Sequence, residues 1–335
     1  MDRFFESSKE EMNSMKIGVV IIGRNEGERL ILCLESVLTA EVPCVYVDSQ
    51  STDGSLNEAE KRRVRAVILD DSAPINASRA RNTGFDVLMK ENPGLEYVHF
   101  IDADCELDTG WLQHAIAALE SSNALAMVCG RLHEKYKYKN TYTRLCDMDW
   151  YIQPGDIAAC GGIFSMRAAI FSEMKGFDES LIAGADPELC FRVREAKYKI
   201  TCLPVDMGTH DSNMEFFAQN WKRSVKTGYA YVSRVSLGEK SQPVISAIIW
   251  GAAIPMIILL CVYIDIKFFL LTSIYPAQVF RIYLKSKKLP FPFYSKVLYS
   301  IFCVLGKFSE MIGVMKFVFN AAMKRDQKII EYKAK

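Results

Sequence analysis

Apolar runs and polar breaks alternate along the first half of the chain. Ile17–Ile22 (IGVVII) is a continuous apolar run, the pattern of a strand buried on both faces. The polar stretch from Gly23 to Gly27 breaks it, and Leu30, Leu34, Val37 and Leu38 then recur at helical spacing. Cys44–Val47 reads as a second strand that ends in the polar segment 48–54. A helix over 55–63, a strand at Ala66–Leu69 and a helix marked by Ala77, Ala80, Gly84, Val87 and Leu88 follow. Tyr97–Ile101 is a fourth strand, succeeded by a helix over 109–121 and a strand at 124–129. Strands alternating with helices predict a mostly parallel sheet with helices on both faces.

Residues 131–159 are aromatic and charged without a clear period. A strand returns at 161–166, Asp186–Lys197 reads as a helix and Tyr198–Leu203 as extended chain. Beyond Pro243 the pattern changes: Val244–Ile264 is 21 residues without a charge, the length of a membrane-spanning helix. Phe268–Phe280 is uncharged again, and Arg281, Lys285, Lys287 and Lys288 follow at once. A hairpin at 243–282 that returns to the cytoplasm agrees with the positive-inside bias, and its short second arm leaves a re-entrant path open. Val297, Ile301, Val304, Phe308, Met311, Met315 and Val318 fall on one stripe, predicting an amphipathic helix within 290–325 that lies in the membrane interface, followed by a basic tail.

The 335 residues suffice for about two domains, and half of them are apolar. A net charge of +1 argues against a nucleic-acid binder. The ten cysteines form no CxxC pair and suit small buried hydrophobes in a reducing compartment. Residues 1–15 are charged and lack the apolar stretch of a signal peptide, which leaves the first domain, 16–235, in the cytoplasm.

In an open parallel sheet, ligands bind beyond the carboxyl ends of the strands. Those ends are polar here: Arg24, Asn25 and Glu26 after the first strand, Asp48 and Asp53 after the second, Asp102 and Asp104 after the fourth. On a chain still extended, Asp102 and Asp104 project to one side. Two such carboxylates repel unless a cation compensates, and Mg²⁺ takes one or two carboxylates together with substrate phosphates. The spacing therefore suggests a site for a metal-bridged diphosphate. No GxGxxG follows the first strand, and no GxxxxGK[ST] or GxSxG occurs, so the usual dinucleotide, P-loop and nucleophile-elbow signals are missing.

The ordered segments IGVVIIGRNE, YVDSQSTDGS, SRARNTGFD, HFIDADCEL, GGIFSMR and GFDESLIAGADPELCFRVR resemble glycosyltransferase family 2. The tail resembles membrane-attached bacterial members associated with exopolysaccharide synthesis, through THDSNM, WKRSVKTGYAY, VLGKFSEMIG and a terminal IEYK. The resemblance implies a GT-A fold, Rossmann-like, and inverting transfer from a nucleotide-sugar, commonly a UDP-sugar, to a glycan or lipid-linked acceptor. By the same resemblance Asn25 and Glu26 line the nucleotide, Asp48 contacts base or ribose, and Arg81 and Asp102 lie near the nucleotide. Asp104 meets a divalent ion, Mg²⁺ or Mn²⁺, and Asp186 is the catalytic base. His210 completes the metal shell or serves as a structural hydrogen-bond partner, and Glu188 is a second candidate base. Ser49 and Ala185 depart from the family pattern, which has acidic residues there. The implied location is the bacterial inner membrane, catalytic domain toward the cytoplasm. A nucleotidyltransferase and a non-catalytic scaffold of a glycan-synthesis complex are the alternative readings.

Overall fold

The structure, a computed structural model, describes residues 16–181, 183–235 and 241–323. The N-terminal extension 1–15, the basic tail and the IEYK segment lie outside the described residues. The chain forms two compact units. Among the described residues, the first comprises 16–135, 150–181 and 185–211, and the second comprises 136–149, 183–184, 212–235 and 241–323.

The first unit is built on a nine-stranded mixed sheet. Strands β1 (Ile17–Gly23), β2 (Cys44–Asp48), β3 (Arg65–Ile68) and β4 (Tyr97–Asp102) pair in parallel in the order β3-β2-β1-β4. Helices α1 (Glu28–Leu38), α2 (Ser55–Lys61) and α3 (Ala77–Glu91) supply the crossovers. The chain moves one way from β1 to β2 and the other way to β4, so the switch point lies between β1 and β4. Register aligns Gly23 with Asp48 and Ile22 with Asp102, so three polar loops leave the sheet at one edge.

Beyond β4 come β5 (Cys105–Leu107), α4 (Trp111–Glu120), β6 (Leu125–Glu134), α5 (Thr141–Asp149), β7 (Gly155–Asp156), β8 (Phe164–Arg167), α6 (Ala168–Glu173), α7 (Ala185–Glu195) and β9 (Lys199–His210). β8 is antiparallel to both β4 and β6, β6 is parallel to β9, and β5 and β7 close on β9 antiparallel. β6 and β9 run longer than their apolar cores because they pair up to Glu134 and His210 across register shifts. Phe85, Phe100, Phe164, Phe171 and Phe177 form an aromatic cluster with centroids 4.5 to 6.1 Å apart.

The second unit is helical. α8 (Phe217–Val235) crosses α11 (Phe293–Ala322) at two glycines. A Cβ on Gly228 would stand 2.0 Å from the Glu310 carbonyl, and one on Gly313 would stand 2.1 Å from that of Val225. α5 joins this unit through Tyr142, whose ring meets Phe302 edge-on at 6.0 Å. Hence 141–149 and 217–235 group with the C-terminal helices rather than with the sheet. α9 (Gln242–Ile264, with a π-helical turn at Ile249–Ala253) leads into a 3₁₀ stretch, Ile266–Ser273, and α10 (Ile274–Ser286). α9 and α11 are long and apolar enough to cross a membrane.

Candidate active site

The loop after β1 interlocks with the loop after β2. Asn25 takes a left-handed φ of 55°, its amide donates to Ser51 Oγ at 2.9 Å, and its Oδ1 accepts from the Thr52 N–H at 2.7 Å. Asp53 Oδ2 accepts from the Gly27 N–H at 2.9 Å, while its Oδ1 accepts from the Ser55 hydroxyl and N–H. Partial burial alone would raise the Asp53 pKa, but these hydrogen bonds, led by the Ser55 hydroxyl, outweigh it and lower the pKa. Glu26 is paired with Arg29 at 2.6 Å, and Arg29 reaches the Asp211 carbonyl at 3.4 Å.

Asp48 is 2 % exposed, deeper than expected of a residue contacting base or ribose, and its two oxygens accept from Tyr46 Oη and the Ser51 N–H, both at 2.7 Å. The carboxylate at this register level organises the 48–54 loop.

The SRARNTG segment opens α3, and it and the residues beside it perform four separate tasks. Asn76 caps the helix by accepting from the Arg79 N–H at 2.9 Å. Asn82 exchanges two 2.9 Å hydrogen bonds with the Phe177 backbone and so clamps the loop carrying that ring. A Cβ on Gly84 would approach Val20 Cγ1 to 2.4 Å, so glycine lets α3 lie close on β1 and β2. Arg81, only 4 % exposed, then points across the strand ends. Its guanidinium donates to Asp102 Oδ1 at 2.8 Å and to Asp186 Oδ1 at 3.2 Å, and lies 5.3 Å from the centroid of Phe177. Burial alone would lower the Arg81 pKa, but Asp102 and Asp186 more than offset it and raise it. A Cβ on Gly162 would strike this guanidinium at 2.5 Å, which explains a glycine there.

The two aspartates of HFIDADCEL do not project together. The chain turns at Ala103, whose N–H donates to the Ile22 carbonyl at 2.8 Å, instead of continuing extended. Asp102 faces Arg81, and Asp104 faces His210. β5 pairs antiparallel with the end of β9, setting Cys105 opposite His210 and bringing His210 Nε2 to 3.2 Å from Asp104 Oδ2. Trp150 packs against the imidazole edge-on at 4.2 Å. Nδ1 of His210 is buried without a hydrogen-bond partner. Asp104, Cys105 and His210 bring their ligand atoms within 4.8 Å of one another. A buried neutral thiol is a poor ligand for a hard cation, so the donors that fit one are the carboxylate and the imidazole.

α7 begins at Ala185, which is buried in the core, and presents Asp186 in its first turn. Glu188 is paired within its own helix: both its oxygens accept from Arg192, at 2.6 and 2.7 Å. Arg29 and Phe177 act on the site and carried no sequence signal beyond proximity to strand ends and to the GFD segment.

The sequence profile of the glycosyl transferase family 2 domain matches residues 18–171. Residues 18–171 form a domain of the glycosyl transferase family 2 type. Among solved structures, a mannosyltransferase from Pyrobaculum calidifontis, in complex with GDP-Man and Mn²⁺, superposes with a TM-score of 0.61 at 14% identity, covering 91% of this chain and 87% of that one. At that identity the likeness establishes the fold, which is GT-A. Glucosyl-3-phosphoglycerate synthase from Mycobacterium tuberculosis, with Mn²⁺ and UDP-glucose, gives a TM-score of 0.47 at 15% identity over 66% of this chain and 79% of that one. No curated protein sequence matches the chain.

Proposed function

We propose that the protein is an inverting glycosyltransferase that moves a sugar from a nucleotide-sugar, a UDP-sugar in the first instance, to a hydroxyl of a glycan or lipid-linked acceptor. The observation that carries this reading is the placement of Asp104 and His210, 3.2 Å apart, beside an arginine that holds both Asp102 and Asp186. Octahedral ligands at 2.0–2.1 Å stand about 3 Å from their neighbours, so this pair suits two adjacent positions around Mg²⁺ or Mn²⁺. The similar mannosyltransferase structure holds Mn²⁺ with GDP-Man, which supports the assignment. When bound, the ion supplies charge stabilisation for the departing diphosphate.

This chain's own residues do the rest. The loops carrying Asn25 and Glu26, ordered by Asp48 and Asp53, meet the nucleoside at the switch point. Asp102, oriented by Arg81, addresses the ribose. Asp186 takes the proton of the acceptor hydroxyl as that oxygen bonds to the anomeric carbon, and the electron pair of the breaking C–O bond leaves with the nucleoside diphosphate. Arg81 pairs with the Asp186 carboxylate and holds it in place for this purpose.

The apolar C-terminal helices support attachment to a membrane, with the sheet domain on the side where nucleotide-sugars are made. For the bacterial members that the tail resembles, that is the cytoplasmic face of the inner membrane. Anchoring raises the local concentration of a lipid-linked acceptor.

The test is a donor screen on the full chain in detergent with Mg²⁺, Mn²⁺ or chelator. Metal-dependent release of nucleoside diphosphate from one donor, lost in His210→Ala and Asp104→Ala, supports the reading. Release of inorganic diphosphate would instead identify a nucleotidyltransferase.

A further inference from the structure

The hairpin formed by α9, the 3₁₀ stretch and α10 has a second arm that is short for a bilayer. Only Phe268–Phe280 is uncharged, against Val244–Ile264 in the first arm. As α-helix, the 13 residues from 268 to 280 would reach about 20 Å at 1.5 Å per residue, short of a hydrocarbon core of about 30 Å. The structure makes Ile266–Ser273 a 3₁₀ helix of eight residues, well beyond the usual run of three or four. At about 2.0 Å per residue, residues 268–273 of this stretch span about 12 Å, and the uncharged arm from 268 to 280 reaches about 22 Å. The first arm, Val244–Ile264, reaches about 31 Å. The tighter helix has poorer hydrogen-bond geometry, and what it gains is length.

A second feature concerns backbone groups inside the hairpin. Pro255 lacks an N–H, and α9 passes it through the π turn, in which the Ile254 N–H donates to the Ile249 carbonyl five residues back. In that register the next carbonyl, Trp250, would be served by Pro255, which has nothing to donate. Tyr275 of the opposite arm fills the gap: its hydroxyl donates to the Trp250 carbonyl at 3.1 Å, and the two rings meet at 6.1 Å. Water would satisfy this carbonyl on a solvated surface. In hydrocarbon it must be satisfied from within the protein.

The two ends of the hairpin also differ. At its base, Lys287 lies over the Tyr283 ring, Tyr283 meets Phe293, and Arg144 lies over both Tyr138 and Tyr294. Aromatic rings interleaved with cations suit an anionic headgroup layer. At its tip, Asp265 caps the 3₁₀ stretch through the Lys267 N–H, and Tyr263 and Lys267 are almost fully exposed.

We infer that the hairpin crosses the whole bilayer twice, with Asp265–Lys267 emerging on the face opposite the basic cluster, rather than dipping in and returning. This rests on the membrane attachment proposed above and is independent of the transfer chemistry.

The experiment uses the full chain in sealed right-side-out membrane vesicles treated with a membrane-impermeant maleimide, with the native chain as the background. Lys267→Cys and Ile266→Cys should label in sealed vesicles, and Lys287→Cys only after permeabilisation. Labelling of the tip variants only after permeabilisation, or not at all, overturns the crossing while leaving attachment intact. Recovery of the chain in the soluble fraction overturns attachment and the crossing together. None of these outcomes bears on which donor is used.

Discussion

Arg81 places a cation between two carboxylates that the proposed chemistry needs ionised. In Arg81→Gln, Asp102 and Asp186 lose donors at 2.8 and 3.2 Å, and a cation beside Phe177 disappears. Removing one partner of a fully buried ion pair costs about 3–5 kcal/mol. Here the arginine is buried, but the aspartate side chains are 35% and 27% exposed, so water screens part of the loss. A destabilisation of about 2 kcal/mol is the worked expectation after that discount. Chemical denaturation of Arg81→Gln, Asp186→Asn and the double variant measures it. If repulsion between the uncompensated carboxylates is the cause, adding Asp186→Asn to Arg81→Gln recovers at least about 1 kcal/mol, a coupling well above additivity error. Arg81→Lys should not restore the native value, since an ammonium lacks the planar fork that serves both partners. Full stability in Arg81→Gln, or strict additivity in the cycle, would refute the bridging role.

His99 is fully buried with its pKa depressed to about 3 by burial, against an ordinary 6.5. The Trp111 indole donates to its Nδ1 at 3.3 Å, so that nitrogen is the acceptor of a neutral ring. The unfolded chain binds this proton below pH 6.5 and the folded chain does not until about 3, so the contribution is present above 6.5 and is lost as pH falls toward 3. Between pH 7 and 5 the native chain should lose about 2 kcal/mol more than His99→Gln in urea unfolding; equal losses would reject this. In Gly84→Ala the new Cβ at 2.4 Å from Val20 forces α3 off the sheet. Overpacking of about 1–3 kcal/mol should outweigh the roughly 1 kcal/mol gain in helix propensity, and donor affinity should fall because Arg81 lies one turn earlier on the same helix; titration calorimetry and thermal unfolding read both effects. Tyr275→Phe leaves the Trp250 carbonyl without its donor and should lower stability by about 1–3 kcal/mol in lipid nanodiscs. An unchanged midpoint there would mean that water reaches that carbonyl.

Much of the sheet was legible because β1, β2 and β4 are buried on both faces and read as uninterrupted apolar runs, while β3 at the edge is only partly buried. β1 to β4 fall within about a residue of the expected bounds. β5 and β7 were not legible: at three and two residues they exist only because β9 pairs with them. The helix at 141–149 was hidden because its apolar partner, Phe302, lies on a helix some 150 residues later. At the site, the sequence presented the polar strand ends but not their directions. A turn at Ala103 sends Asp104 toward His210 and leaves Asp102 with Arg81, where an extended chain would have kept the two aspartates together. The burial of Asp48 was not legible because its partners, Tyr46 and the Ser51 amide, come together only once the loop is folded.

The central claim, that Asp186 serves as base in a sugar transfer whose donor is held by the strand-end loops, is tested most directly by separating binding from chemistry in Asp186→Asn. With the donor identified, calorimetric affinity for the nucleotide-sugar should stay within about threefold of the native chain, while transfer to acceptor falls by about 10²–10⁴, the usual contribution of a positioned base. Transfer persisting near the native rate with donor binding intact would contradict the account and move the base elsewhere.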